Sequence, residues 1–281
     1  MVTIVNTGEV PKDISQYTTI TRQKHNKNQI PRPDNFFDVA HMDIGYGDTM
    51  APGGYKYILL IVDRKTRFSY VFGLKNTKAD SIVTALKELK VSAGCLPKTL
   101  YTDFDPKILS RPVINFCVDN HTDLLACPEG QQNQNGLVER KWQTLVHMAR
   151  RYMTDKQMPR NFWYWAIRHS NRISNLFPLK CNDVITTSFK LVYGVKPDYR
   201  QLFRLFSTAY LSHTKDNTHT CTTTDPHSLQ GIAVGYSDRA NGMEIYNPNS
   251  KQLYTTTVYR LDEQNETRNH FNLHYDGAMF F

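Results

Sequence analysis

The segment from Asp38 to Thr154 alternates short apolar runs with amphipathic stretches in one order, and this order restricts the fold more than any other feature of the sequence. Three strands are predicted first, at 38–44, 55–62 and 67–74, and the first of them ends at a turn-prone Gly45–Asp48. A helix at 79–93, a strand at 98–103, a short helix at 112–118, a strand at 123–127 and a long helix at 136–154 follow. Three antiparallel strands followed by alternating α/β units predict an α/β fold, a ribonuclease H-like mixed five-stranded sheet flanked by helices.

The remainder of the chain has a different pattern of apolar and polar residues. After Pro159 a helical period carries apolar side chains as far as Leu176, and we expect its aromatic residues to lie in the core. Short strand-like runs then follow at 209–211, 231–236, 243–246 and 252–259, which indicate a small β-rich C-terminal module. The predicted organisation is an N-terminal arm or linker at 1–34, a catalytic core at 35–178, a basic linker at 179–206 and the β-rich module at 207–281.

Three acidic residues stand where the predicted elements begin or end. Asp43 lies late in the first strand, Asp103 ends the fourth, and Glu139 lies in the first turn of the long helix. In a ribonuclease H-like sheet the first and fourth strands are neighbours, so their ends bring two carboxylates together. Pairs of acids at such spacings are common by chance, and the prediction therefore rests on the apolar strand ends and the helix start around them.

Three carboxylates together are electrostatically unfavourable unless cations bind them. Oxygen ligands with open positions suit Mg²⁺ or Mn²⁺. Two such ions can clamp the attacking and leaving oxygens of an in-line phosphoryl displacement. The predicted cofactor is therefore Mg²⁺ or Mn²⁺, as two ions held by Asp43, Asp103 and Glu139.

The positive charge is concentrated in one part of the chain. The net charge is +8, and the segment from Asn135 to Arg204 alone contains thirteen Lys and Arg against four Asp and Glu. A basic surface next to the acidic site predicts contact with DNA phosphates, and a solvated helical face is the alternative. The candidate DNA-binding residues are Gln134, Asn135, Arg140, Lys141, Gln143, Arg150 and Arg151.

Three separated motifs in this order resemble one family. They are QNGLVERK at 134–141, YGVKPDY at 193–199 and GIAVGYS at 231–237. The chain is similar through them to the integrases of copia-type LTR retrotransposons, within the retroviral integrase and DDE transposase superfamily. It departs from the pattern at Phe104 and Asp105, where the family commonly has Asn-Gly, and residues 1–34 lack the cysteines of the family's zinc-binding module.

The resemblance implies a function and its partners. It makes Asp43, Asp103 and Glu139 the metal-binding catalytic triad of a polynucleotidyl transferase that trims a DNA 3′ end and joins it to target DNA. The implied partners are the DNA of the element ends and of the target, further copies of the chain as a homo-oligomer, and other products of a Pol polyprotein. The implied location is the nucleus after cytoplasmic synthesis. A nuclease without strand transfer and a co-opted, inactive DNA-binding remnant remain as alternatives.

Several other classes of protein are disfavoured by the sequence. The longest apolar run, at 57–62, is too short to span a bilayer, so no membrane partner is expected. Five scattered cysteines without a CxxC pair predict reduced thiols in an intracellular protein. A zinc site at His213, His219, Cys221 and His227 is disfavoured because the usual ligand spacing is missing. No motif for acyl transfer or a phosphate-binding loop occurs.

Overall fold

The computed structural model describes residues 33–127, 136–181, 184–212, 228–237, 242–264, 271 and 273. The arm, the candidate contacts Gln134 and Asn135, and the disfavoured zinc ligands at 213–227 therefore lie outside the described residues, apart from positions 33 and 34. Residues Arg32–Phe281 form one compact unit. Within the described part, no helix has the length and apolar character needed to cross a membrane.

The first sheet confirms the predicted ribonuclease H-like arrangement. Its five strands are ordered β3-β2-β1-β4-β5. Strand β1 pairs antiparallel with β2 and parallel with β4, β2 pairs antiparallel with β3, and β4 pairs parallel with β5. The strands are β1 (Val39–Ala51), β2 (Tyr55–Asp63), β3 (Ser69–Leu74), β4 (Thr99–Thr102) and β5 (Asp123–Ala126).

Helices cover both faces of this sheet. One face is packed by α1 and α2 through a cluster that includes Met42, Leu59 and Leu86. The other face is packed by α3 and α4 through a cluster that includes Leu60, Leu145 and Trp163. The helices are α1 (Ala79–Ala93), α2 (Arg111–Asp119), α3 (Gly136–Asp155) and α4 (Trp163–Leu176), with a 3₁₀ turn at Arg160–Phe162.

Strand β1 is longer than the sequence pattern predicts. The expected turn at Gly45–Asp48 is wrong, because the strand continues through it to Ala51 and the chain reverses at Gly53 and Gly54, with φ of 87° and 81°. A Cβ at Gly45 would lie 2.7 Å from the Trp142 ring, and one at Gly47 would lie 2.2 Å from the Trp163 ring. These glycines therefore admit two indole rings against the strand.

The segment predicted as a basic linker contains regular elements. Strands β6 (Pro178–Cys181) and β7 (Val184–Thr187) form a hairpin, and α5 (Ser188–Tyr193) follows, with a 3₁₀ turn at Tyr199–Gln201. Helix α5 begins where the Thr187 hydroxyl accepts a hydrogen bond from the Lys190 amide at 3.0 Å. It ends at Gly194 in the left-handed region, as a C-terminal glycine allows.

The β-rich module forms a second, antiparallel sheet in the order β11-β10-β9-β8-β12. The single run expected at 252–259 is two strands, because the chain bends at 257–258 and the Thr256 hydroxyl accepts a hydrogen bond from the Val258 amide at 3.1 Å. The strands are β8 (Thr208–Ser212), β9 (Ser228–Tyr236), β10 (Met243–Asn247), β11 (Gln252–Thr256) and β12 (Tyr259–Asp262).

Helix α4 packs against both sheets. Its residues Trp163, Trp165, Ala166 and Ile167 are buried, as the sequence predicts for its aromatic stripe, and they join apolar residues of β2 and of the second sheet in one cluster. The ring of Trp165 lies 4.9 Å from the ring of Tyr246 in β10. The second sheet therefore completes the core on the far side of this helix.

Candidate metal centre and nucleic-acid interface

Asp43 lies on β1, half-buried, and both of its carboxylate oxygens accept hydrogen bonds. Its Oδ1 accepts from the Ile44 amide at 2.8 Å. Its Oδ2 accepts from the indole Nε1–H of Trp142, in α3, also at 2.8 Å. Neither donor is charged, so these contacts orient the carboxylate without neutralising it.

Asp103 stands beside Asp43 because of the parallel register between β1 and β4. Met42 pairs with Thr102, the last residue of β4, and Asp43 and Asp103 are the next residues along the chain. Asp43 does not lie late in its strand as expected, because β1 continues beyond it to Ala51. Asp103 is exposed, and its backbone oxygen accepts a hydrogen bond from the Asp105 amide at 2.7 Å. Phe104, which stands where the similar family has Asn, is 67% exposed at this turn.

Glu139 is exposed in the first turn of α3, and Trp142 follows it by three residues. Residues three apart share a helix face, so the hydrogen bond from Trp142 to Asp43 holds the first turn of α3 against β1. Sequence reasoning missed Trp142 as a residue of this site. The signal that could have revealed it is this spacing from Glu139.

The other two acids act on the carboxylate of Asp43. Burial raises the pKa of Asp43, the hydrogen bond from Ile44 opposes this, and the negative charge of Asp103 raises the pKa further. The hydrogen bond from Trp142 lowers the pKa of Asp43 and the charge of Glu139 raises it. The structure thus brings the three predicted residues into one electrostatic environment.

The three acids have the ligand chemistry of a site for a hard divalent cation. All three side chains offer carboxylate oxygens, the ligands that hard divalent cations prefer, and their mutual repulsion favours a cation. Among the described residues, no three His, Cys, Asp or Glu side chains are close enough to hold one ion as they stand. The chemistry of the site fits Mg²⁺ or Mn²⁺, whereas a closed ligand set is not formed.

The candidate DNA contacts on α3 differ in exposure. Arg140, Gln143 and Arg151 are exposed, and Lys141 and Arg150 are half-buried. Burial lowers the pKa of Lys141 to about 8. At 100° per residue, Gln143 and Arg150 lie on the face that carries Glu139, whereas Lys141 lies on the opposite one.

A cavity of about 340 Å³ lies at the other edge of the first sheet, and none of the three acids lines it. It is bounded by β3, α4, α5 and β9. Asn171 and Asn175 donate hydrogen bonds to the Ser69 carbonyl of β3 at 2.9 and 2.8 Å. The cavity and the acidic site are therefore separate features.

The chain is similar in sequence to retrotransposon polyproteins. No family model matches the chain. The chain is 21% identical over 229 residues, 80% of its length, to the retrovirus-related Pol polyprotein from transposon RE1 of Arabidopsis thaliana. It is 22% identical over 269 residues, 92% of its length, to the transposon Ty1-LR3 Gag-Pol polyprotein of Saccharomyces cerevisiae. The chain spans about 15% of the length of each of these relatives.

One solved structure matches most of the fold. It is a cryo-EM structure of the simian T-cell lymphotropic virus intasome in complex with PP2A regulatory subunit B56 gamma, with a TM-score of 0.50 and 15% identity. The match covers 83% of this chain and 81% of that chain. The chain is thus similar in sequence to retrotransposon Pol polyproteins, and its fold is similar to that of a chain of a retroviral intasome, in line with the sequence resemblance.

Proposed function

We propose that this chain is a retrotransposon integrase that trims DNA 3′ ends and joins them to target DNA, with Asp43, Asp103 and Glu139 as its metal ligands. The observation that carries the proposal is the parallel register of β1 and β4, in which Asp43 and Asp103 both follow the paired residues Met42 and Thr102. The charges of Asp103 and Glu139, which raise the pKa of Asp43, support it. A carboxylate in these surroundings gains most from a bound cation. The Pol polyprotein relatives support an integrase.

Each residue has a distinct part in the proposed reaction. Asp43 would hold the cations from within β1, Asp103 from the end of the parallel strand β4, and Glu139 would approach from α3. Two bound Mg²⁺ or Mn²⁺ ions would supply activation of the attacking oxygen and stabilisation of the leaving oxygen in an in-line phosphoryl displacement. The protein therefore needs no nucleophilic side chain of its own.

The DNA is expected to lie along α3. The exposed Arg140, Gln143 and Arg151 belong to the helix that carries Glu139, so phosphate contacts there would bring the strand to the acidic site. Gln134 and Asn135 precede this helix and complete the proposed surface. We also propose a homo-oligomeric assembly, an origin within a Pol polyprotein, and action in the nucleus.

An end-joining assay tests this function. The chain is incubated with Mg²⁺, a labelled DNA duplex that ends in the element's terminal sequence, and a target plasmid. Joined products are expected, with the label moved into the plasmid. Shortened labelled strands without joining would indicate a nuclease, and DNA binding without either product would indicate an inactive remnant. Both of these results contradict the proposal.

Site variants are the control for this assay. Asp103→Asn and Glu139→Gln keep the shape of each side chain and remove its charge. We expect both to bind DNA and to form neither cut nor joined products. Full activity in either variant would show that the site is assigned wrongly.

A further inference from the structure

Strand β1 has two indole rings against one of its faces. Asp43, Gly45, Gly47 and Thr49 alternate along the strand and therefore share this face. A Cβ at Gly45 would meet the Trp142 ring at 2.7 Å, and a Cβ at Gly47 would meet the Trp163 ring at 2.2 Å. Each ring thus lies directly on the strand backbone.

The two indole N–H groups donate hydrogen bonds to different kinds of acceptor. The Nε1–H of Trp163, a fully buried side chain, donates to the Thr49 backbone oxygen at 2.9 Å. The Nε1–H of Trp142, half-buried, donates to the side-chain Oδ2 of Asp43 at 2.8 Å. The first bond ties a helix to the strand, whereas the second also controls a proposed metal ligand.

We propose that Trp142 is a positioning residue for metal binding, which sets the orientation of the Asp43 carboxylate; this inference rests on the proposed function. The Ile44 amide holds Oδ1 and the indole holds Oδ2, so rotation of the carboxylate group is restricted before a cation arrives. Each oxygen keeps a second lone pair for the cation. Hydrogen-bond donors behind metal ligands commonly orient them in this way.

Trp142 also links two of the proposed ligands. It lies one helical turn after Glu139, and its ring is held against Gly45, two residues after Asp43. The indole therefore sets how the first turn of α3 lies against β1, and with it the approach of Glu139 to Asp43. Loss of the N–H should weaken the metal site even when the ring remains.

Calorimetric titration with Mn²⁺ alone tests the proposal on the whole chain. Trp142→Phe keeps an aromatic ring on Gly45 and removes the donor, and we expect it to bind Mn²⁺ about 10- to 100-fold more weakly than the wild type. Trp163→Phe is the matched control, because it loses an indole hydrogen bond to the same strand but not to a carboxylate. Its Mn²⁺ affinity should stay within about twofold of the wild type.

Indole fluorescence gives an independent readout of position. Mn²⁺ is paramagnetic and quenches nearby fluorophores, so the ion should quench emission in the wild type and in Trp163→Phe. We expect Trp142→Phe to lose this quenching, even at Mn²⁺ concentrations that saturate its site. If Trp142→Phe does not fold, replacement of Trp142 by β-(3-benzothienyl)alanine keeps the two-ring shape without the N–H.

The outcomes separate this inference from the proposed function. Equal Mn²⁺ affinity in the wild type and the donor-lacking variant, together with loss of binding in Asp43→Asn, would overturn the positioning role and leave the metal site standing. Full Mn²⁺ binding by Asp43→Asn would overturn both the positioning role of Trp142 and the proposed metal site. Weaker binding in Trp142→Phe with unchanged binding in Trp163→Phe would support the inference.

Discussion

Each of the two sheets contains a half-buried or buried carboxylate, and these two carboxylates have different hydrogen-bond donors. Glu244, on β10, is 7% exposed and accepts hydrogen bonds from the guanidinium of Arg168 in α4. Asp43, on β1, accepts hydrogen bonds from the neutral Ile44 amide and Trp142 indole, and the charges of two further acids act on it. Within the described residues, the acid of the second sheet thus has a cationic donor, whereas the donors to Asp43 are neutral.

Asp63 shows that neutral donors alone do not mark a functional acid. It is fully buried, and its oxygens accept hydrogen bonds from the Phe37 amide at 2.9 Å and from the Thr66 amide and hydroxyl at 2.6 Å. These bonds shape the turn after β2. What distinguishes Asp43 is therefore the pair of negative charges near it, since neutral donors are common to both sites.

The largest expected effect on activity is that of replacing Asp43. Asp43→Asn should reduce end joining about a thousandfold, because several kcal/mol of transition-state stabilisation depend on the metal site. The same change should stabilise the metal-free fold at neutral pH. A carboxyl whose folded pKa is raised contributes less stability as it ionises, so removal of its charge is favourable.

Joining assays and urea unfolding without metal check the two parts of this prediction. The wild type should gain stability when Mg²⁺ is added, and Asp43→Asn should gain none. A variant that is both inactive and strongly destabilised would mean that Asp43 has a structural role like that of Glu244.

The second prediction concerns the acid that is neutralised within the chain. Arg168→Met leaves Glu244 without its cation in surroundings where the two side chains are 18% and 10% exposed, and it should destabilise the fold by about 3–5 kcal/mol. Urea unfolding measures this loss. Arg204→Met is the control, since its pair with Asp155 is 49% and 53% exposed and should contribute less than about 1 kcal/mol.

The third prediction concerns His169, a buried histidine of α4 near the second sheet. Burial lowers the pKa of His169 to about 4, and the charge of Arg172 adds to this. Between its ordinary value of 6.5 and about 4, the unfolded chain therefore binds a proton that the folded chain does not, and stability falls as the pH falls.

His169→Phe should remove this dependence and keep the ring contacts with Tyr152 and Phe203. Relative to the variant, the wild type should lose roughly 2 kcal/mol between pH 6.5 and pH 5. Unfolding of both proteins across this range gives the difference directly. Parallel pH profiles would show that His169 does not titrate as described.

The smallest effect is expected at the DNA surface. Arg140→Gln removes an exposed cation beside Glu139, so the slope of log affinity against log salt should fall by about 1. Lys141→Gln should change it less, because Lys141 is half-buried with its pKa lowered to about 8. Fluorescence anisotropy over a salt series measures both slopes, and equal slopes would contradict the ranking.

Much of the fold was predictable because its signals are local. The helical period that begins at Ala79 and ends at Gly94, and the apolar run of β2, are set by neighbouring residues. The parallel pairing of β1 with β4 follows from the order of these elements. The position of Asp103 directly after β4 could therefore be predicted as well, whereas Asp43 lies within β1 and not late in it.

The hydrogen bond behind Asp43 could not be predicted in this way. Gly45–Asp48 is a turn by local pattern, but Gly45 and Tyr46 pair with β2 in the structure. Indole rings from about 100 residues further along the chain lie against its glycines. The split of β11 from β12 likewise depends on the partners of each strand in the second sheet.

The sequence by itself determined the order of the elements, the three candidate acids and the basic helix that carries one of them. Only the tertiary structure decided that Trp142 bonds Asp43 whereas Arg168 bonds Glu244. The physical reason is the separation along the sequence over which each effect acts. Hydrophobic periodicity acts between residues a few positions apart, whereas the surroundings of a buried charge are assembled from distant segments that meet only when the chain folds.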